Sequence, residues 1–248
     1  MRYFFEITYH GQRYHGWQSQ ANAVGIQAVI EKTLGQLLRQ KVSVVGSGRT
    51  DAGVHCVQQF FHVDITRSVD ASNLLQRMNS FLPRDIAIRS IRQVKQDASA
   101  RYAAVERTYE YRITRVKDPL QAGLSFYYFK SLDLPTLRKA AALLVGPHDF
   151  QCFSKVKTDV DHFRCTVKKA HWAIRKDTLV FSITANRFLR GMVRAVVGTL
   201  LDAGTGKTSV EEFKAILRSG DRKRAGMNVP PDGLFLMRVK YPASIFVR

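Results

Sequence analysis

The stretch YFFEITY at residues 3–9, followed by GIQAVIEKTLGQLL at residues 25–38, decides the expected fold. In the first segment, large apolar residues recur at every second position, which is typical of a β-strand. In the second segment the apolar residues fall at helical spacing, namely Ile26, Val29, Ile30, Leu34, Leu37 and Leu38. The chain is therefore predicted to begin with a strand followed by a helix.

Apolar runs further along the chain extend this pattern. The runs at 42–45 and 57–65 predict two more strands. ASNLLQRMNSF at 71–81 predicts a second helix, and IAIRSIRQV at 86–94 predicts a fourth strand. The resulting order, β-α-β-β-α-β, is the ferredoxin-like pattern.

The second half repeats this element order, although the two halves share negligible sequence identity. Its predicted elements are strand 107–115, helix 135–145, strands 167–174 and 179–185, helix 187–202 and strand 234–240. An extra helix is expected from Val210, because Ser209 and Glu212 form a capping-box sequence. We therefore expect an α+β protein with two ferredoxin-like lobes in tandem, residues 1–104 and 105–248, with a ligand cleft between them.

The composition indicates a basic globular protein. The 248 residues are 45% hydrophobic, and 39 Lys and Arg against 20 Asp and Glu give a net charge of +19. This charge favours a polyanionic partner. Nucleic acid is favoured over an anionic membrane, because no long apolar span or basic amphipathic anchor is visible. A basic surface that serves only solubility is the alternative.

The cysteines and the N-terminus indicate a reduced, cytoplasmic protein. Cys56, Cys152 and Cys165 are odd in number and lack the spacing of a zinc site. The N-terminal segment turns polar too soon for a secretory signal. Cys56 follows His55 and suggests a nucleophile pair, but adjacent residues on an extended segment point to opposite faces, which favours packing roles for both.

Asp51 is the main candidate for chemistry. It lies in GSGRTDAG at 46–53, after a predicted strand, among glycines that permit turns and the close approach of another backbone. A turn aspartate that caps its own backbone is the ordinary interpretation. The nearby Arg49 favours a functional carboxylate instead, because a guanidinium orients it.

Three arginines suggest an anion-binding surface in the second half. Arg187, Arg190 and Arg194 recur at i, i+3 and i+7 on the helix predicted for 187–202 and would form a basic stripe. A solvated helix face is the ordinary interpretation. Because like charges on one stripe repel each other, we expect an anion beside them, either RNA phosphate or a carboxylate such as Asp51.

Two tyrosines share one face of a predicted strand. Tyr109 and Tyr111 are two residues apart in RTYEYRI, so the same burial is expected for both. Core packing is the ordinary interpretation of such a pair. A tyrosine whose hydroxyl reaches a cleft would instead stack on a base or move a proton.

These segments together resemble one known family. GSGRTDAGVHC at 46–56 resembles the signature of the tRNA pseudouridine synthase A family. The other family landmarks follow in the right order, namely TYHGQRYHGWQSQ at 8–20, GIQAVIEKTL at 25–34, MNSFLPRDIAI at 78–88, DASARYAAVERTYEYR at 97–112, NRFLRGMVRAVVGTLLDAG at 186–204 and PPDGLFLMRV at 230–239. The chain departs from the family at Lys168, where Thr-x-Arg is usual, and at Cys56, where a small residue is usual.

The resemblance implies both an architecture and an activity. The expected architecture is a pair of α/β lobes that form a basic RNA-binding cleft, usually in a homodimer. The expected activity is isomerisation of uridine to pseudouridine at positions 38, 39 and 40 in the anticodon stem-loop of tRNA. No cofactor and no metal are expected, and no association with a membrane.

The resemblance also implies site residues. Asp51 is expected to act as nucleophile or general base, and Arg49 and Arg194 to take part in catalysis. Tyr109 is expected to stack on the uracil and to help remove the proton from C5. Apart from the residues that the resemblance assigns, we expect Arg101, Arg187 and Arg190 to bind substrate together with Tyr109.

Other classes of function remain open from the sequence. A non-catalytic RNA-binding module would explain the positive charge, but it gives Asp51 no reason to lie among phosphate-binding arginines. A phosphatase or nuclease would use acidic residues, but these enzymes usually cluster several carboxylates around a metal. A synthase of the same family that acts on other tRNA positions or another RNA is the third alternative.

Overall fold

A computed structural model of the chain describes residues 1–66, 68–155 and 160–247. In chain order, its regular elements are β1 (Arg2–Tyr9), α1 (Ile26–Leu38), β2 (Val45–Gly46), β3 (His55–Asp64), α2 (Ala71–Phe81), β4 (Ile86–Val94), β5 (Glu106–Thr114), β6 (Phe126–Tyr127), α3 (Leu134–Ala142), β7 (Gly146–Asp149), β8 (Arg164–Arg175), β9 (Thr178–Ala185), α4 (Met192–Gly204), α5 (Val210–Ser219) and β10 (Leu234–Lys240). They form two compact units. Unit 1 comprises Met1–Glu106 and Phe235–Arg248, and unit 2 comprises Arg107–Leu234.

Unit 1 is a β-sheet with helices α1 and α2. The strand order is β4-β1-β3-β10, with the short β2 paired to β3. β1 is antiparallel to both of its neighbours, whereas β10 is parallel to β3. In β1, Phe5 stacks on Phe61 with ring centroids 4.9 Å apart. Phe4 meets Tyr241 edge-on at 5.2 Å, so residues after β10 help to bury this strand.

Unit 2 contains β-strands packed with three helices, α3, α4 and α5. Its strand order is β5-β9-β8-β7, and β6 pairs with β5. Helix α3 contacts β8 as well as α4 and α5. Helix α4 is apolar around most of its circumference and is almost wholly buried, as expected for a helix enclosed by other elements. Asp133 and Ser209 cap α3 and α5 by accepting hydrogen bonds from backbone N–H groups.

Several predicted elements are confirmed by the structure. The α/β character is confirmed, and α1, α2 and β4 have the predicted boundaries. The capping box at α5 is also present, with Ser209 Oγ accepting from Glu212 N at 3.1 Å and Ser209 N donating to Glu212 Oε2 at 2.7 Å. Strong periodicity and local capping chemistry were sufficient for these elements.

The strand predicted after α1 is shorter in the structure than the sequence suggested. The strand predicted for 42–45 is reduced to Val45–Gly46. Side chains of α1 bind the backbone just before it, since Val44 N donates to Glu31 Oε1 at 3.0 Å and Gln27 Nε2 donates to Val44 O at 3.3 Å. These bonds take the groups that would otherwise extend the strand.

The helix predicted for 187–202 begins at Met192 instead. Gly191 precedes it in the left-handed region, with φ of 72°. Asn186 Oδ1 accepts from Arg187 N at 2.8 Å, which fixes a turn before the helix. Arg187 and Arg190 therefore lie outside α4, and the predicted helical stripe with Arg194 is wrong.

The C-terminal segment groups differently from the sequence-based division. The second lobe was expected to span 105–248, but Phe235–Arg248 belongs to unit 1. The reason is strand pairing, because Phe235 and Leu236 of β10 pair with His55 and Cys56 of β3.

No described helix has the length and apolar character needed to cross a membrane.

The capping box gives a direct stability prediction. Ser209→Ala removes the side-chain acceptor for Glu212 N, so we expect the free energy of unfolding to fall by about 1 kcal/mol. The measurement is urea denaturation followed by circular dichroism. Lys214→Ala, on the exposed middle of α5, is the control and should change stability by less than about 0.5 kcal/mol. Equal urea midpoints for the two variants would contradict the assigned cap.

Candidate active site

Asp51 lies in the loop that connects β2 to β3 in unit 1. Its side chain is half-buried, and its carbonyl accepts a hydrogen bond from Val54 N at 3.2 Å, which closes a tight turn. Thr50 before it is buried, whereas Arg49 is exposed. The loop therefore leaves Asp51 partly accessible to solvent, next to the buried Thr50.

The segment at 10–17 supports this loop through backbone contacts. Trp17 N donates to Thr50 O at 3.2 Å, and Gly53 N donates to Tyr14 O at 3.1 Å. Gly16 adopts φ of +86°, and a Cβ atom there would lie 2.2 Å from Thr50 O. Only glycine allows the two backbones to approach this closely on either side of Asp51.

A second glycine in the same segment supports the far end of the loop. A Cβ atom on Gly11 would lie 1.9 Å from Val54 O, and Gly11 N donates to His55 Nδ1 at 3.1 Å. The imidazole of His55 stacks against Phe235 with ring centroids 4.6 Å apart. Both contacts make His55 a buried part of the loop's support.

The cysteines occupy packing positions. Cys56 is buried, and its thiol lies 3.8 Å from Ile7 O. Burial raises the pKa of the Cys56 thiol well above its usual value, which suppresses the reactive thiolate. Burial likewise raises the pKa of Cys152 to about 12 and that of Cys165 to about 11. The expectation of packing roles for His55 and Cys56 is confirmed.

The two tyrosines of β5 in unit 2 have different environments. Tyr111 is 0% exposed, and its hydroxyl donates to Pro230 O at 2.8 Å. Burial raises the pKa of Tyr111, which keeps its phenol neutral. Tyr109 is half-buried, and its ring meets Phe188 edge-on at 4.9 Å. The expectation of similar burial is wrong, because Tyr111 is fully enclosed and bonded to Pro230 O, whereas Tyr109 is only half-buried.

Arg194 is held in place by the chain that follows α5. It lies in the first turn of α4, and its Nε donates to Val229 O at 2.7 Å. Val229 N donates back to Arg194 O at 3.3 Å. Gly198, one turn further along α4, packs so closely on this chain that a Cβ atom would lie 1.8 Å from Met227 O. The guanidinium is thus anchored at Nε in a half-buried position.

The remaining basic candidates lie at or near the surface. Arg187 is half-buried with Nη1 3.3 Å from His162 Nε2, and Arg190 is exposed. Arg101 in unit 1 is exposed, and its guanidinium lies 5.3 Å from the ring centroid of Tyr102, which is 80% exposed. Lys168 is exposed at a register shift in β8. These cations are suited to solvent-accessible phosphate groups.

Sequence reasoning missed the residues that support the candidates. Phe188 was predicted only as one residue of the helix at 187–202, yet its ring contacts that of Tyr109. Gly11, Gly16 and Trp17 were noted only as part of the landmark at 8–20, with no structural role. Their signal is the cluster of two glycines and a tryptophan within seven residues.

Among the described residues, no group of three or more His, Cys, Asp or Glu is arranged to hold a metal ion.

Comparison with known proteins identifies the class to which this fold and site belong. Residues 7–103 and 140–242 match the family model for tRNA pseudouridine synthase. The chain therefore belongs to the tRNA pseudouridine synthase family, and it is an isomerase.

The curated relatives agree along nearly the whole chain. A protein of Porphyromonas gingivalis named tRNA pseudouridine synthase A is 46% identical, over 99% of both chains. Proteins of the same name from Bacteroides thetaiotaomicron and Bacteroides fragilis are 43% and 42% identical, over 99% of this chain and 92% and 98% of theirs. The resemblance drawn from the sequence is confirmed.

The close contact at Gly16 predicts a loss of activity on substitution. Gly16→Ala places Cβ against Thr50 O, so the loop must shift, and pseudouridine formation should fall by about 100-fold. The matched control is Gly206→Ala, because Gly206 has a similar φ of +75° but open space around it. The control should keep near wild-type activity. Wild-type turnover in Gly16→Ala would show that this contact does not position Asp51.

Proposed function

We propose that this enzyme converts uridine to pseudouridine at positions 38, 39 and 40 in the anticodon stem-loop of tRNA. The observation that carries the proposal is the half-buried Asp51 on a loop whose backbone is fixed by residues 10–17. Family membership supports the reaction type. The names of the relatives support tRNA as the substrate.

The reaction needs no net oxidation and no added atom. The bond between N1 of uracil and C1′ of ribose breaks, the base turns, and C5 bonds to C1′. The proton then leaves C5, and N1 gains one. Positive charge develops at C1′ while the uracil departs as an anion, so a fixed carboxylate near the sugar lowers the barrier.

Asp51 is the proposed source of that carboxylate. As a nucleophile it would bond to C1′ as the N1 bond breaks, and it would leave when C5 attacks. As a general base it would remove the 2′ proton to form a glycal, and would later return that proton. Both routes need the carboxylate within contact of the sugar, and the supported loop provides a fixed position for it.

Tyr109 is the proposed partner for the base. Its ring is held edge-on by Phe188 at 4.9 Å and stays partly accessible, which suits stacking on an unpaired uracil. Its hydroxyl is proposed to take part in removing the C5 proton after the new bond forms. Tyr111 instead contributes packing, because its hydroxyl is bonded to Pro230 O.

The arginines complete the proposed binding site. Arg194 is anchored through Nε, and its planar guanidinium is proposed to orient a carboxylate or a phosphate. Arg49 is proposed to share this role with Arg194 and to occupy the space left by the turned base. Arg101, Arg187 and Arg190 are proposed to bind the tRNA backbone, with the rest of the net charge of +19 steering the polyanion.

The finer architecture and the assembly are also proposals. The antiparallel order β4-β1-β3-β2 in unit 1 supports a ferredoxin-like lobe. A second such lobe is proposed from the element order, and a cytoplasmic location from the cysteines and the N-terminal segment. The basic RNA-binding cleft and the homodimer are proposed from the family resemblance. Activity on other tRNA positions is the competing proposal, and mapping the modified uridine distinguishes the two.

The central catalytic assignment is tested by Asp51→Asn. The amide keeps the size of the side chain but neither attacks C1′ nor accepts a proton, so single-turnover isomerisation should fall by about 1,000-fold or more. Binding of tRNA should stay within about threefold, because the carboxylate does not contact phosphate. Release of tritium from 5-tritiated uridine in tRNA measures the rate. Retention of more than about a tenth of the rate, a loss of less than about 1.4 kcal/mol, would contradict the role.

The tyrosines of β5 give a paired test. Tyr109→Phe keeps the ring but removes the hydroxyl, so turnover should fall by about 100-fold while tRNA still binds. Tyr111→Phe removes the bond to Pro230 O and should cost about 1 kcal/mol of stability with nearly normal turnover. Single-turnover assays and thermal melts of both variants separate these effects. Normal turnover in Tyr109→Phe would reduce its role to stacking.

A further inference from the structure

A hydrogen-bonded network of three buried polar side chains, called here the Tyr9–Gln59–Thr50 network, contacts the loop that carries Asp51. Its members are Tyr9 at the end of β1, Gln59 in β3 and Thr50 in the loop. They are 4%, 0% and 8% exposed. Their surroundings are aromatic, with the ring centroid of Trp17 lying 6.5 Å from that of Tyr9. Polar groups in such a place are costly unless they are fully hydrogen-bonded.

The Tyr9–Gln59–Thr50 network holds the loop at Gly48 and at Thr50, the residues on either side of Arg49. Gln59 Nε2 donates to Gly48 O at 2.9 Å. Tyr9 Oη donates to Gln59 Oε1 at 2.9 Å, and Thr50 Oγ1 lies 2.9 Å from Tyr9 Oη. Side chains of β1 and β3 are thus hydrogen-bonded to Gly48 and Thr50. Thr50 is the residue directly before Asp51.

The direction of each hydrogen bond follows from the chemistry of the groups. The Gly48 carbonyl only accepts, so the amide of Gln59 must turn its nitrogen toward Gly48 and its oxygen toward Tyr9. The Tyr9 hydroxyl must then donate to that oxygen, which leaves Thr50 to donate to Tyr9. Loss of any one of the three side chains therefore removes a hydrogen bond from a buried neighbour.

We propose that Tyr9 and Gln59 are positioning residues for the isomerisation, and that they act on Asp51 through Thr50 and Gly48. This inference rests on the proposed function. An aromatic and aliphatic core would fill the same space without polar groups that require partners. The hydrogen bonds instead hold the Gly48 carbonyl and the Thr50 hydroxyl, which belong to residues within three positions of Asp51. Small errors in the position of a catalytic group have large effects on rate.

The test compares variants that delete one hydroxyl each. Tyr9→Phe and Thr50→Val interrupt the Tyr9–Gln59–Thr50 network and keep side-chain size. Tyr3→Phe and Thr8→Val are matched controls in β1, because their hydroxyls contact Met1 Sδ at 3.5 Å and Cys56 O at 2.9 Å. Thr50→Ser restores the donor and serves as the conservative rescue.

A positioning role predicts a specific kinetic pattern. The single-turnover rate should fall by about 10-fold or more in Tyr9→Phe and Thr50→Val, with the Kd for tRNA changed by less than about threefold. Thr50→Ser should recover most of the rate. Tyr3→Phe and Thr8→Val should keep the wild-type rate, even where their melting temperatures fall as far as those of the test variants.

Each outcome bears on one claim. Wild-type rates in folded Tyr9→Phe and Thr50→Val would overturn the positioning role while leaving the proposed function intact. Equal losses of rate in the test and control variants would overturn it as well, since that result is general destabilisation. Absence of pseudouridine in the wild-type reaction would contradict the proposed function itself. Loss of activity in the variants alone, with the wild-type enzyme active, concerns only the positioning role. Asp51→Asn is assayed in parallel as the reference for loss of the carboxylate.

Discussion

The structure of unit 1 depends on the close approach of two backbones, that of residues 10–17 and that of the loop around Asp51. A loop with a half-buried carboxylate must satisfy its own N–H and C=O groups, because orphaned groups destabilise the fold. Here Thr50 O and Gly53 N find partners in Trp17 and Tyr14. This approach is possible only where side chains are absent, which Gly16 and Gly11 provide. Two sequence segments more than thirty residues apart in the chain therefore act as one structural element.

Unit 2 also contains a glycine that lets two backbones approach closely. Gly198 lets the chain around Met227 lie directly on α4, and Val229 then exchanges hydrogen bonds with Arg194. Gly226 N also donates to Thr199 Oγ1 at 2.9 Å, which ties the same chain to the helix. In both units, a glycine permits a backbone contact that fixes a charged side chain. Rigid support of this kind is what an enzyme needs in order to place charge before the substrate arrives.

The sequence predicted much of the fold because its helices and strands carry strong local signals. Helix α1 has a continuous apolar face, and α5 has a capping box, so both needed little tertiary information. β2 was overestimated because Glu31 and Gln27 of α1 bind its backbone, a long-range effect that periodicity does not contain. The start of α4 was misplaced because Phe188 and Leu189 continue the helical pattern through a turn. The pairing of β10 with β3 likewise joins residues that are far apart in sequence, such as His55 and Phe235.

The candidate site divides along similar lines. Asp51 was identified from its motif, and the packing role of Cys56 from the alternation of a strand. The family resemblance singled out Tyr109, but the strand pattern did not predict the difference in burial between Tyr109 and Tyr111, because both lie on the same strand face. The Tyr9–Gln59–Thr50 network was not predicted either, because three polar residues at separate positions in the sequence form no recognisable pattern.

The central claim is that this chain isomerises uridine in the anticodon stem-loop of tRNA. The direct measurement is to incubate the purified enzyme with an unmodified tRNA transcript that has uridines at positions 38, 39 and 40, and to map every pseudouridine by chemical modification and primer extension. Pseudouridine at one or more of these three positions and at no other uridine is the predicted result. Pseudouridine only at other positions would contradict the proposed substrate site, and a transcript without pseudouridine would contradict the activity.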